Sequence, residues 1–214
     1  MENPKRTAAH LATIASRRNE LQIWCADAFA GWDRYVLEIG CGHGHFLTAY
    51  AAAHPDELCV GIDIELERIE RAQRKQKRSG LPNLHFVRAE ARLFLDVLPG
   101  TVRASAIYFL FPDPWPKRRH HKNRLLAVPF LERLGEKAAD EARLYFRTDY
   151  APYHADARRE AAGSPSWAIA DEAWPFEAPT VFQERAGGYH SFVAVRRPRT
   201  TVSALPKPEI VTCK

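Results

Sequence analysis

The sequence is poor in sulfur and has no long apolar run. Four cysteines and one methionine occur among 214 residues. Cys25, Cys41, Cys59 and Cys213 form no C-x-x-C pair, so they read as free thiols rather than as disulfide partners or zinc ligands. No stretch of ~18 consecutive apolar residues is present to span a bilayer, and residues 1–18 carry charge without the apolar centre of a signal peptide. These absences lead to the expectation of a soluble, cytoplasmic protein with no membrane partner. No metal is expected either. His120 and His121 are adjacent, which sends their rings to opposite sides of an extended chain, and they lack the i, i+4 spacing of H-E-x-x-H.

What is present fits one domain. With 46% hydrophobic residues over 214 positions, the chain is long enough for one sizeable core and short for two. Residues 1–18 are polar and basic and read as a mobile N-terminal arm, 19–197 as the folded domain, and 198–214 as a tail without periodicity. Leu21, Ile23, Trp24, Ala28 and Phe29 give a short apolar helical segment to pack beside the first strand. A net charge of +5 and a pI near 9.1 permit a nucleic-acid partner without requiring one.

The chain is organised around residues 36–44, Val-Leu-Glu-Ile-Gly-Cys-Gly-His-Gly. Apolar residues run directly into glycines at alternate positions, the pattern of a buried parallel strand ending in a turn that residues without a Cβ make tightly. Helical spacing follows from His45. A strand, a glycine turn at Gly40, Gly42 and Gly44, and a helix N-terminus make a cradle for a nucleoside-bearing cofactor. The last glycine of a G-x-G-x-x-G dinucleotide fingerprint is replaced by His45, which argues against NAD. The second strand, 58–63, ends in Asp63, 23 residues after Gly40, the distance at which a Rossmann-like fold brings a carboxylate to ribose hydroxyls. An acid there also caps a following helix; its pairing with the glycine turn favours the ribose.

A helix over 65–79 has a thin apolar stripe of Leu66, Ile69 and Ala72. Arg71, Arg74, Lys75, Lys77 and Arg78 crowd its second half, as a solvated face or as a weak field for RNA. After the third strand, 84–87, Glu90 stands where an acid accepts from the adenine amino group. The fourth strand, 104–111, leads into a loop with Asp113 between Pro112 and Pro114, which fix its backbone. Five of the eight residues 117–124 are Lys or Arg, a composition suited to phosphates. Strands at 142–148, 167–170 and 192–196 complete the sheet, the last antiparallel.

Phe111-Pro112-Asp113-Pro114-Trp115 with Lys117, followed by the basic stretch to Arg124, resembles the signature of the bacterial tRNA (guanine-N7-)-methyltransferase (TrmB) family. Thr148-Asp149-Tyr150 is similar to that family's T-D-W/Y, and Thr180-Val181-Phe182-Gln183 to its T-x-F-E. With the glycine motif, the resemblance covers roughly residues 34–197. It implies an α/β, Rossmann-like class I methyltransferase fold: a mostly parallel seven-stranded sheet with an antiparallel edge strand. It further implies that S-adenosyl-L-methionine is bound by Glu38, Gly40, Gly42, Gly44, Asp63, Glu90 and Asp113. Asp113 is then the catalytic residue at the reaction centre; Lys117, Asp149, Thr180, Phe182 and Gln183 contact the guanosine; and Arg119, His120, His121, Lys122 and Arg124 bind tRNA. Three positions depart from the family pattern. Asp63 replaces Glu, Glu90 replaces Asp, and Gln183 replaces a Glu at the guanine edge. The implied product is 7-methylguanosine in tRNA. Two other readings stay open, a methyltransferase for a small molecule and a catalytically silent RNA-binding relative. The sequence leaves the oligomeric state undetermined.

Overall fold

The structure, a computed structural model, describes residues 4–178 and 186–199, and within them the side chains from residue 12 onward. Seven strands form one sheet: β1 (Arg34–Ile39), β2 (Cys59–Asp63), β3 (Leu84–Arg88), β4 (Arg103–Leu110), β5 (Ala138–Thr148), β6 (Trp167–Ala170) and β7 (His190–Arg196). Their order is β3-β2-β1-β4-β5-β7-β6. The first five strands pair in parallel, and β7 runs antiparallel between β5 and β6. Because β1 adjoins both β2 and β4, the connections leaving β1 and β4 turn away from each other. Such a reversal opens a crevice beyond the carboxyl ends of the strands.

Strand periodicity sorts the core to the two faces of the sheet. Val36 points to the face covered by α2 (His45–Ala53) and α3 (Leu66–Ser79), where it joins Phe46, Leu47, Ile69 and Ala72. Tyr35, Leu37 and Ile39 point the other way, toward Leu21 of α1 (Pro4–Ala28), Phe94 of α4 (Ala91–Val97) and Phe130 and Leu131 of α5 (Val128–Lys137). Ala157 and Ala161 of α6 (Ala151–Gly163) join this second layer. Each large apolar side chain so buried contributes about 1.5–3 kcal/mol relative to exposure.

The amino-terminal region differs from the expected arm. α1 is one continuous helix from Pro4, with no break near residue 18. Proline at a first helical position and a following run of Ala, Leu, Arg and Glu, free of glycine, favour that outcome. Among its described side chains burial is confined to the last turns: Leu21, Cys25 and Ala28 are buried, while residues 12–20 are exposed. Phe29 meets Tyr35 of β1 with ring centroids 4.9 Å apart, the expected packing beside the first strand. Ile23, expected in that apolar set, is 65% exposed, and Leu66 on α3 is 48% exposed; both fall off their helix's buried stripe. β5 starts at Ala138, four residues before the expected strand, because a kink at Glu141 (φ 61°) lets the chain pair on both sides of a register shift. The expected tail lies outside the described residues beyond Arg199.

Gly44 and Gly61 hold the glycine turn against the sheet. A Cβ on Gly44 would stand 2.4 Å from Phe86 Cζ, and Gly44 has φ 69°. Gly42 also has a left-handed φ, 54°, but open space where its Cβ would be. Gly44→Ala therefore combines backbone strain with overpacking and is expected to lower stability by about 2–4 kcal/mol, against about 1 kcal/mol for Gly42→Ala. Urea denaturation of the two variants checks the difference.

Candidate active site

The crevice is a cavity of about 500 Å³ at the carboxyl ends of β1, β2, β3 and β4. Its floor is apolar, with Ile39, Ile62, Ala89 and Phe109, and five acids line it: Asp63, Glu65 and Glu67 at one side, with Glu90 and Asp113. A volume of this size suits a cofactor or drug-sized ligand.

The turn after β1 begins where the Gly40 and Cys41 N–H groups donate to Ile62 O at 2.8 and 3.0 Å. Gly40 has φ 78° and nothing within 4 Å of its missing Cβ, so the backbone is bare on the cavity side. Asp63 then fixes this turn. Its Oδ2 accepts from Gly42 N–H at 3.0 Å and its Oδ1 from Glu65 N–H at 2.9 Å, while only 5% of the residue is exposed. Arg68 stands 3.9 Å from the same carboxylate. Each carboxylate oxygen has a second lone-pair site, so bracing the turn leaves acceptor capacity toward the cavity.

Glu90 also has two duties. It is the N-cap of α4, where Oε2 accepts from Leu93 N–H at 2.9 Å, and it lines the cavity. Glu38 lies elsewhere. Its carboxyl group is buried under the turn and is not part of the cavity wall. A hydrogen bond from Leu47 N–H ties it to the start of α2, whose cap residue Gly44 has no side chain to offer. Burial, reinforced by the negative charge of Asp63, pushes the Glu38 carboxyl up to about 8, with Leu47 N–H and Lys75 acting in the opposite direction.

Beyond β4 the chain is strained. Phe111 and Trp115 both have positive φ, 50° and 45°, on either side of Asp113. Left-handed backbone at bulky residues costs about 1–3 kcal/mol each. Arg124 offsets the cost. Its side chain is buried, and its guanidinium donates to Pro114 O at 2.9 Å and Trp115 O at 3.5 Å, pairs with Asp156 of α6, and lies 4.8 Å over the Tyr153 ring. Charge-assisted hydrogen bonds of this kind contribute about 1.5–3 kcal/mol apiece. Asp113 itself is exposed on the cavity wall. Lys117, Arg119 and Lys122 are exposed on a 3-10 turn (Arg118–Asn123), with His120 and His121 half-buried. His120 meets Trp115 edge-on at 5.8 Å and receives the Arg119 Nε–H at 3.2 Å.

Residues 33–187 match a family model described as a putative methyltransferase. A tRNA (guanine-N(7)-)-methyltransferase of Geobacter metallireducens is 32% identical over 167 residues, covering 78% of this chain and 76% of that protein. One from Treponema pallidum is 36% identical over 71% of this chain, which spans 61% of the relative's length. The chain belongs to the tRNA (guanine-N7-)-methyltransferase family. Among solved structures, the antibiotic-resistance methyltransferase Kmr superposes with a TM-score of 0.56 at 22% identity over 84% of this chain and 94% of that one. A 16S rRNA (adenine(1408)-N(1))-methyltransferase of Catenulisporales acidiphilia, crystallised with cosubstrate SAM, gives 0.56 at 20% identity over 84% and 92%. These two share the fold.

The cavity thus gathers Gly40, Asp63, Glu90 and Asp113 from the expected set. Gly42 and Gly44 shape its turn from behind. Lys117 and Asp149 are exposed and stand off its wall, and Thr180, Phe182 and Gln183 lie outside the described residues. Arg124 corrects the expected RNA-contacting stretch. It is turned inward because an acid 32 residues away, Asp156, and two loop carbonyls satisfy it. Arg147 is a residue the sequence reading passed over. Its guanidinium lies 3.9 Å from the Trp174 ring and 4.4 Å from that of Tyr189, and it donates to both Glu177 oxygens at 2.8 and 2.6 Å. It fastens both flanks of the segment that carries Thr180 to Gln183 onto the end of β5. The signal was a cation directly after the apolar run Leu144-Tyr145-Phe146.

Two outcomes follow from this geometry. Folding keeps a proton on Glu38 that the unfolded chain releases above its ordinary pKa of 4.5, so stability falls as pH rises from there through about 8. Wild type should lose stability in that window more steeply than Glu38→Gln, by up to about 1.4 kcal/mol per pH unit, in urea denaturation at several pH values. Arg124→Met leaves two carbonyls without their donor and Asp156 with Arg159 alone, and should cost about 2 kcal/mol, seen as a melting temperature lower by about 4–8 °C.

Proposed function

We propose that the protein transfers a methyl group from S-adenosyl-L-methionine to N7 of a guanosine in tRNA. The observation that carries this reading is the position of Asp113, an exposed carboxylate on a braced loop, in the same cavity as Asp63, Glu90 and the bare Gly40 backbone. That cavity fits the cofactor's chemistry: apolar floor for adenine, Asp63 for ribose hydroxyls, Glu90 for the adenine amino group, and no side chain at Gly40 to block approach. When bound, the cofactor supplies an electrophilic methyl group on a sulfonium centre.

Guanine N7 has a free lone pair and no proton to lose, so the protein needs no strong general base. Its tasks are alignment and charge. Holding two reactants in line replaces a bimolecular encounter with a unimolecular step. Positive charge builds on the purine as the bond forms, and the Asp113 carboxylate stabilises it. A carboxylate carried on a backbone already fixed by Pro112, Pro114 and Arg124 does this without moving the loop. Asp149, at the end of β5, is assigned to the guanine N1–H and amino group, and Lys117 to the nucleotide. Arg119, His120, His121 and Lys122 of the 3-10 turn are assigned as phosphate contacts, which the motif resemblance supports for all four and exposure for Arg119 and Lys122. The Geobacter and Treponema relatives, named for the same reaction, support the choice of tRNA.

Nucleoside analysis of tRNA incubated with the protein and labelled cofactor should detect 7-methylguanosine. Asp113→Ala should reduce its formation by at least 100-fold while cofactor affinity, measured by calorimetry, changes only a few-fold. An active Asp113→Ala enzyme removes Asp113 from the reaction centre, and labelled tRNA lacking 7-methylguanosine removes the reading itself.

A further inference from the structure

A second cleft lies on the other side of the glycine turn from the cavity. It is about 280 Å³ in volume and is lined by His43 and His45 on one wall and Arg71, Arg74, Lys75 and Arg78 of α3 on the other. The four cations recur at i, i+3, i+4 and i+7, so they form a single stripe on the helix. Arg71, Arg74 and Arg78 are exposed, and among the described residues none of them forms an ion pair with a carboxylate. The acids of this helix, Glu67 and Glu70, stand in its first half. Stabilisation of the helix dipole explains cations in the last turn, Lys77 and Arg78. It does not explain Arg71 and Arg74, which are mid-helix. Like charges one turn apart repel, and a stripe that keeps them unpaired beside the positive end of α2 is a focused positive potential.

We propose that this cleft binds the phosphodiester backbone of the tRNA substrate, as a contact surface separate from the loop that carries Asp113. The proposal rests on the function assigned above, and its geometry favours a polymer over a single anion. The cationic stripe spans seven residues of helix, about 10 Å, longer than one phosphate group. The same helix contributes Arg68 to the cavity wall, so a chain that delivers one base to the cavity has further phosphates within about 15 Å of helix to meet the stripe. Lys75 is a less free member: its Nζ is buried beside Glu38 without a hydrogen-bond partner among the described residues.

The test compares wild type with the combined Arg71→Gln, Arg74→Gln, Arg78→Gln variant, whose replacements keep helix propensity. Unmodified tRNA binding is titrated from 50 to 200 mM salt, with 7-methylguanosine formation measured in parallel. The variant should flatten the slope of log K against log salt by about 2–3 and weaken tRNA binding roughly tenfold or more at low salt. KM for tRNA should rise while kcat at saturating tRNA and cofactor affinity stay within twofold. Arg34→Gln, at the exposed amino-terminal end of the interior strand β1, should leave the slope unchanged. An unaltered slope in the triple variant, or an equal loss per arginine in Arg34→Gln, overturns the cleft assignment while a methylating wild type keeps the function. A wild type that binds tRNA through this slope but forms no 7-methylguanosine keeps the cleft and overturns the function. A wild type that does not bind tRNA overturns both.

Discussion

The carboxylate of Asp63 holds the working edge of the molecule together. One oxygen takes the Gly42 N–H and the other the Glu65 N–H, so a single side chain at the end of β2 joins the turn after β1 to the start of α3. Those two segments are the shared border of the cavity and the basic cleft. Because Asp63 is buried, each hydrogen bond acts in a medium less polar than water, where it is stronger and where its loss leaves a charge without partners. Shortening the family's Glu to Asp at this position suits that duty. The shorter side chain has fewer torsions to immobilise, and its oxygens reach the backbone on both sides.

Under the turn the chain tolerates an unfavourable group. Glu38 is buried with one oxygen lacking a hydrogen-bond partner among the described residues, close enough to Asp63 for each charge to oppose the other. Two ionised carboxylates in that space would be costly; protonation of Glu38 relieves the conflict and leaves the charge on Asp63, the acid that faces the cavity. Glu38 then acts as a neutral cap for α2, compensating for the glycine that the tight turn requires at the cap position. The glycine motif and the acid two residues before it are therefore one physical unit. The turn needs Gly44 because Phe86 fills the space behind it, and a glycine cap needs a carboxyl group from elsewhere.

Much of this was legible in the chain because its signals are local. Continuous apolar strand runs, the Gly40-x-Gly42-x-Gly44 turn, Asp63 at the next strand end and the proline-bracketed Asp113 are each encoded within a few residues, and the turn and both acids landed at the carboxyl edge of the sheet. The misread positions depend on partners distant in sequence. Arg124 looked like one more cation in a basic run, and only Asp156 and the folded loop make it a brace. Arg147 shows the same dependence, being defined by Trp174, Glu177 and Tyr189. The continuous helix from Pro4 was hidden because its exposed stretch has no apolar stripe to read, so polarity alone resembled an arm.

The placement of Arg124 explains how one loop can combine rigidity with a cationic surface. Strain at Phe111 and Trp115 is of the same order as the charge-assisted hydrogen bonds that Arg124 gives to the loop. The loop is therefore held in place only while that guanidinium is committed inward. A polyanion passing over the 3-10 turn meets Lys117, Arg119 and Lys122 first, on the solvent side. The buried Arg124 is already satisfied by a carboxylate and two carbonyls and has little to gain from a phosphate. Cations that face solvent and the cation that braces the Asp113 loop are thus separated within eight residues. Salt that screens the exposed cations acts less on buried Arg124 and its half-buried partner Asp156, since screening acts most on charges that water surrounds.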